Sequence, residues 1–140
     1  MSVQAVFLPL LVQVALTFAL LLWTARVRTR AIREGKVHIR DIALAPQNWP
    51  PRPTQIANAY QNQLELPVLF YVVTILAWST GQADLLFVVL AWVFVVLRLA
   101  HATIHVTSNR VPRRFAAFAA GVFVLLAMWG LFAVRLLFVL

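Results

Sequence analysis

Four stretches of this chain are too apolar to remain in water, and each is long enough to cross a bilayer. They run from about Val3 to Ala25, Ile56 to Ser79, Leu85 to Val106 and Pro112 to Leu140. A spanning helix needs about 20 mostly apolar residues. In lipid, every backbone amide and carbonyl must pair within its own segment, so such runs are helices. The expectation is an all-α integral membrane protein with one domain over residues 1–140. Its four transmembrane helices form a bundle over about 3–25, 56–79, 85–106 and 112–140, and a long loop covers 26–54. Charged residues make up only 11% of the chain, against roughly 25% in a soluble domain.

The formal net charge is +8, which in a soluble chain suggests nucleic acid. Here the charge is confined to particular loops. Arg26, Arg28, Arg30, Arg33, Lys36, Arg40 and Arg52 lie in the first loop, and Arg110, Arg113 and Arg114 in or beside the third. The second loop, near Thr80 to Asp84, has no Lys or Arg. The positive-inside rule then places loops one and three in the cytosol and both termini on the opposite side. Topology thus accounts for the basic balance, and no nucleic-acid partner is expected. The chain has no cysteine, which excludes a disulfide scaffold, thiol redox chemistry and a Cys-ligated metal. No basic residue precedes the first apolar run, and Arg26, Arg28 and Arg30 follow it. That polarity is opposite to a secretory signal, so the first helix is expected to be retained, in a bacterial inner membrane.

The most informative residues are polar ones inside two of the spans. Asn58, Gln61, Asn62 and Glu65 are spaced i, i+3, i+4 and i+7, which puts them on one helical face. Arg98, His101 and His105 share a face of the third helix at i, i+3 and i+7. Ionisable groups at membrane depth cost ~2.5–3.5 kcal/mol each on insertion scales and face a bundle interior or wet cavity. In antiparallel helices, Glu65 meets Arg98 at one depth and Asn58 meets His105 at the rim, so a Glu65–Arg98 ion pair is predicted. Any one of Asn58, Gln61 or Asn62 alone is explained as hydrogen-bonding glue between helices. Two facing stripes point instead to a polar pocket open to the cytosol.

The start of the fourth helix adds to that rim. Pro112 suits a first helical turn, and Arg113 and Arg114 follow beside amides that already favour anions. Anchoring to lipid headgroups accounts for Arg110 and Arg113, whereas Arg114 is a candidate to stabilise an anion or thiolate. Elsewhere, the first loop begins as a helical extension and breaks near Gly35. Pro9 and Pro67 are expected to kink their helices, and Arg135 to snorkel.

The segments Asn58-Ala-Tyr-Gln-Asn62-Gln-Leu-Glu65-Leu-Pro67, Arg98-Leu-Ala-His101-Ala-Thr-Ile-His105 and Asn109-Arg110-Val-Pro112-Arg-Arg114 together resemble the MAPEG superfamily, membrane-associated proteins in eicosanoid and glutathione metabolism. The resemblance is clearest from about Arg52 to Phe118 and points to an uncharacterised bacterial-type branch. It implies a homotrimer with sites between neighbouring subunits, reached from the cytosol. It also implies glutathione as cofactor, a lipophilic electrophile as substrate, and transferase or peroxidase chemistry. By the same resemblance, Asn62, Glu65, Arg98 and His101 bind the tripeptide and Arg114 stabilises its thiolate. Asn58 stands where the family has an arginine, and His105 where glutathione-using members have a tyrosine. Asn58 lacks the charge and bidentate reach of arginine, and His105 adds a titratable ring.

Two classes of function follow. One is the glutathione-dependent enzyme. The other is a non-catalytic lipid-binding or scaffold protein of the same fold, which Asn58 favours. A proton-coupled exporter fits less well, since Arg98 faces the membrane glutamate. A haem protein fits less well too, because His101 and His105 lie on one helix.

Overall fold

In the computed structural model, which describes residues 1–138, every regular element among the described residues is a helix. The helices are α1 (Val3–Arg33), a single turn α2 (Ile39–Ile42), α3 (Pro51–Asn62), α4 (Leu66–Ser79), α5 (Leu85–Val106) and α6 (Val111–Phe138). A short 3₁₀ turn, Pro46–Asn48, separates α2 from α3. Three of these helices, α1, α5 and α6, are long and apolar enough to cross a membrane. The expected third span, 85–106, matches α5. The fourth begins at Val111 and is followed to Phe138, and its expected last residues, 139–140, lie outside the described residues.

The first helix runs on past the apolar stretch to Arg33 and stops where Gly35 takes a left-handed φ of +73°. Ser2 opens it by accepting a hydrogen bond from the Ala5 amide at 3.1 Å. The expected single helix over 56–79 requires correction, because it is two helices interrupted at Gln63–Glu65. Glu65 has φ −100° and ψ −103°, which is not helical. The cause is Pro67, which has no amide hydrogen for the Gln63 carbonyl and whose ring collides with it. Pro67 fits the first turn of a new helix instead, so the expected kink is a break.

α5 packs against α1, α3 and α6, and α4 packs against α1 and α6. One end of the interior is apolar and aromatic. Phe70 of α4 stacks on Phe94 of α5 with ring centroids 4.7 Å apart, and Val73, Ala91, Val95 and Met128 are fully buried around them. Gly121 brings α6 close to α5, with the Phe94 ring 3.9 Å from where a Cβ would stand. At this end Arg135 does more than snorkel. Its Nη2 donates to Asp84 Oδ2 at 2.7 Å, and its Nη1 to the Gln82 carbonyl at 3.2 Å. The Asp84 carboxylate also caps α5 through the Phe87 amide at 3.0 Å. The Arg135 guanidinium and that cap hold the Asp84 carboxyl below its ordinary value.

The other end of the interior is polar. Ile56, Ala59 and Ala102 are buried beside Gln13, Gln63, Arg98, His101 and His105. This is the end at which the basic loops emerge.

Candidate functional site

The helix break decides which groups meet. Arg98 is only 1% exposed, and its Nη2 donates to Asn62 Oδ1 at 2.6 Å, the Asn62 carbonyl at 3.1 Å and Gln63 Oε1 at 3.1 Å. The predicted Glu65–Arg98 ion pair does not form. With the helix broken, Glu65 leaves the stripe and is exposed, and the end of α3 takes its place against the guanidinium. A cation at a helix C-terminus also complements the negative end of the helix dipole.

A second helix joins this network. Gln13, on α1, donates through Nε2 to Gln63 Oε1 at 2.9 Å, and Gln63 Nε2 donates back to the Ala59 carbonyl at 3.0 Å. Gln13 and Gln63 were not singled out from the sequence. The available signal was Gln13, an amide in the middle of the apolar run of α1, which in lipid needs a partner on another helix.

In front of the network lies an open cleft of about 430 Å³ between α3, α5 and α6. Asn58, Asn62, Glu65, His101, His105 and Arg114 all line it, and Gln61 joins them. The sequence stripes on α3 and α5 therefore do converge. Arg98 is the exception, because it lies behind Asn62 and is not among the cleft's lining residues. The third wall, on α6, is mostly apolar and was not anticipated. Val111, Phe115 and Phe118 line it with Arg114, and their spacing of i, i+3, i+4 and i+7 is one helical face.

The histidine rings meet edge to face, with centroids 5.7 Å apart, and His101 lies 5.8 Å from the Phe118 ring. The Nδ1 atoms of both histidines are buried without a hydrogen-bond partner. Arg114 is half-buried, and its Nη1 donates to Asn109 Oδ1 at 2.6 Å. Asn109 sits in the turn between α5 and α6 with φ +51°, a left-handed conformation that asparagine tolerates better than most residues. That conformation aims its carbonyl oxygen at the arginine.

The rim is fixed from α3. Gln55 Nε2 donates to the His105 carbonyl at 2.8 Å, and Arg52 Nη1 to the Val106 carbonyl at 2.6 Å. These bonds satisfy terminal carbonyls of α5 that have no helical partner. The cleft is thus a hydrogen-bonding concavity with one guanidinium, one carboxylate, two histidines and an aromatic wall. Among the described residues no group of His and acidic side chains could hold a metal ion.

The MAPEG family model matches residues 6–134 of the chain. No curated protein and no solved structure shows a significant match.

Proposed function

The chain belongs to the MAPEG family, and from that premise we propose that it is a glutathione-dependent transferase or peroxidase acting on lipophilic electrophiles. In this reading α3 and α4 form one interrupted span, which makes a four-span bundle. Three copies assemble with the clefts at their seams. In the same reading each cleft faces the cytosol of a bacterial inner membrane and both termini lie on the other side, an orientation the basic loops support.

The observation that carries this reading is the convergence of Arg114, His101, His105, Asn58, Asn62 and Glu65 on one cleft. The donor set suits an anionic tripeptide. Arg114 offers a cation, the histidines and asparagines offer N–H donors, and Glu65 offers a carboxylate for an ammonium group. The unpartnered Nδ1 atoms are the kind of buried polar group that a ligand or water satisfies. When bound, glutathione supplies a thiol that becomes nucleophilic as a thiolate. Arg114 favours that anion through its charge, and Asn109 holds Arg114 in place. Asn58 contributes a neutral amide at the rim, so the charge available for the ligand rests mainly on Arg114. Arg98 supports the site indirectly, by orienting Asn62.

The test is a titration of glutathione into the purified protein, followed by thiolate ultraviolet absorbance, beside Arg114→Ala. Wild type is expected to show a saturable rise, and the variant at least a tenfold loss, the factor of one pKa unit. Equal thiolate formation in both proteins would remove the role of Arg114, and none in wild type would remove glutathione.

A second reading, a non-catalytic lipid-binding protein, is favoured by an apolar groove of about 340 Å³ beside the cleft. Leu66 and Leu69 of α4 and Val122, Leu125, Leu126 and Trp129 of α6 line it. A copurified lipid seen by native mass spectrometry, with no thiol bound at any concentration, is the outcome that reading requires.

A further inference from the structure

A thiolate formed in the cleft leaves a proton that needs a destination. A cysteine thiol has an ordinary pKa of ~8.5, so it enters mostly protonated at neutral pH. Arg114 favours the anion but cannot take its proton, because a guanidinium stays protonated in proteins and offers only donors. Some other group, or the solvent, must accept it.

Of the side chains that line the cleft, three can take up a proton: Glu65, His101 and His105. Glu65 is exposed at the helix break, and carboxylates as a class are weaker bases than imidazole by about two pKa units. The two histidines differ in position. His105 is in the last turn of α5 and Arg114 in the first turn of α6, so the short connection over 107–110 brings them to one level. His101 lies one turn deeper, about 6 Å by the rise of a helix, with its ring 5.8 Å from Phe118. Arg114 is the charged neighbour that acts most strongly on His105, whereas Arg98 is that neighbour for His101.

The ring of His105 has one nitrogen to offer a ligand. Its Nδ1 is buried without a partner, and the ring lines the cleft, so Nε2 is the atom presented there. With its proton on Nδ1, a neutral imidazole turns a lone pair outward from Nε2. Gln55 donates to the His105 carbonyl at 2.8 Å, which anchors the turn that carries the ring. The charged and titratable groups around it are Arg98 and His101 on α5, Arg114 on α6 and Glu65 beyond α3. Arg52 of α3 is bound to the adjacent Val106 carbonyl.

Resting on the glutathione reading, we propose that Nε2 of His105 accepts the thiol proton. The S–H bond breaks and an N–H bond forms, which leaves a thiolate beside an imidazolium, with Arg114 on the sulfur. Cys–His nucleophiles are activated by an adjacent base in the same way. When sulfur bonds to the electrophile, the imidazolium returns the proton to the atom that takes up the displaced electron pair. A proton kept on the ring is not released to the medium, so thiolate formation is nearly independent of pH between 7 and 8. A proton shed to solvent would make it rise about tenfold per pH unit.

The test titrates glutathione into the full-length protein in detergent at pH 7.5. Thiolate is read by ultraviolet absorbance, and protons by calorimetry in two buffers of different ionisation enthalpy. S-methylglutathione, which has no thiol proton, gives the baseline. Wild type is expected to release close to no protons per thiolate, and His105→Gln about one. His105→Tyr supplies a second variant, with a phenol that is no base at this pH, and is also expected to release about one. Release of about one proton per thiolate by wild type would overturn the proposal and leave glutathione in place. Release by His101→Gln but not by His105→Gln would also overturn it, because the acceptor would then be the deeper ring. No thiolate in wild type would remove the glutathione reading and the proposal with it.

Discussion

The two ends of the interior are held by different forces. At one end Phe70, Phe94, Val73 and Met128 fill the space between helices. At the other, Gln13, Gln63, Arg98 and Asn62 join three helices through hydrogen bonds. In water the first set would dominate by hydrophobic burial. In lipid that driving force is largely absent, because acyl chains are as apolar as leucine, and packing and hydrogen bonds remain. The comparison teaches that the apolar end supplies contact while the polar end fixes which residues face which.

The largest expected effect tests the contact. Phe70→Ala removes a ring stacked in a closed interior and is expected to cost roughly 2–3 kcal/mol of stability. This lies toward the low side for a buried aromatic, since lipid and not water is the alternative surrounding. Unfolding followed by helical circular dichroism checks it. A cost below that of the polar substitution described next would reverse the ranking of the two ends.

The intermediate effect tests the register. Arg98→Met removes three hydrogen bonds to the end of α3, but it also removes a buried cation whose Nε and Nη1 have no partner. These terms oppose each other, and a net loss of about 1–2 kcal/mol is expected for the acceptors left unpaired. Its larger signature lies in the cleft, where Asn62 loses its anchor. Glutathione affinity is therefore expected to fall more than stability does, and the same titration reads it. A stability loss with unchanged affinity would separate the network from the site.

The smallest effect comes from the rim of the apolar end. Asp84→Asn keeps an acceptor for the α5 cap and loses the ion pair to Arg135. Exposed pairs contribute at most ~1 kcal/mol. The carboxyl is held below its ordinary value, so its contribution is present above an unfolded aspartate pKa of about 3.9 and fades as pH falls through the lowered folded value. Wild type and variant are expected to begin converging in thermal melts below about pH 4 and to coincide once the pH has fallen below the lowered folded value. A gap that persisted there would assign the effect to the cap.

The membrane character, the three long helices and most of the cleft were readable from the residues themselves. Apolar runs and helical spacing are local properties, so Asn58, Asn62, Glu65, His101, His105 and Arg114 were found before any contact was known. What failed was the assumption that one helix joins Asn58 to Glu65. The spacing i, i+7 holds only while the backbone stays regular, and Pro67 ends that regularity four residues earlier, at Gln63. Reading the proline's demand on that carbonyl, and not just its tendency to kink, would have placed the break and withdrawn the Glu65–Arg98 pair. Gln13 was out of reach for another reason, because its partner on α3 is set by tertiary packing alone.

The interruption at Gln63–Glu65 leaves a helix end at a depth where a soluble protein would have water. Arg98 hydrogen-bonds to that end from within the protein. In effect the fold carries a fixed piece of solvent to a place in its interior that needs hydration. That substitute is covalently attached and cannot be drawn off, so the interrupted helix keeps partners for its last polar groups without access to water.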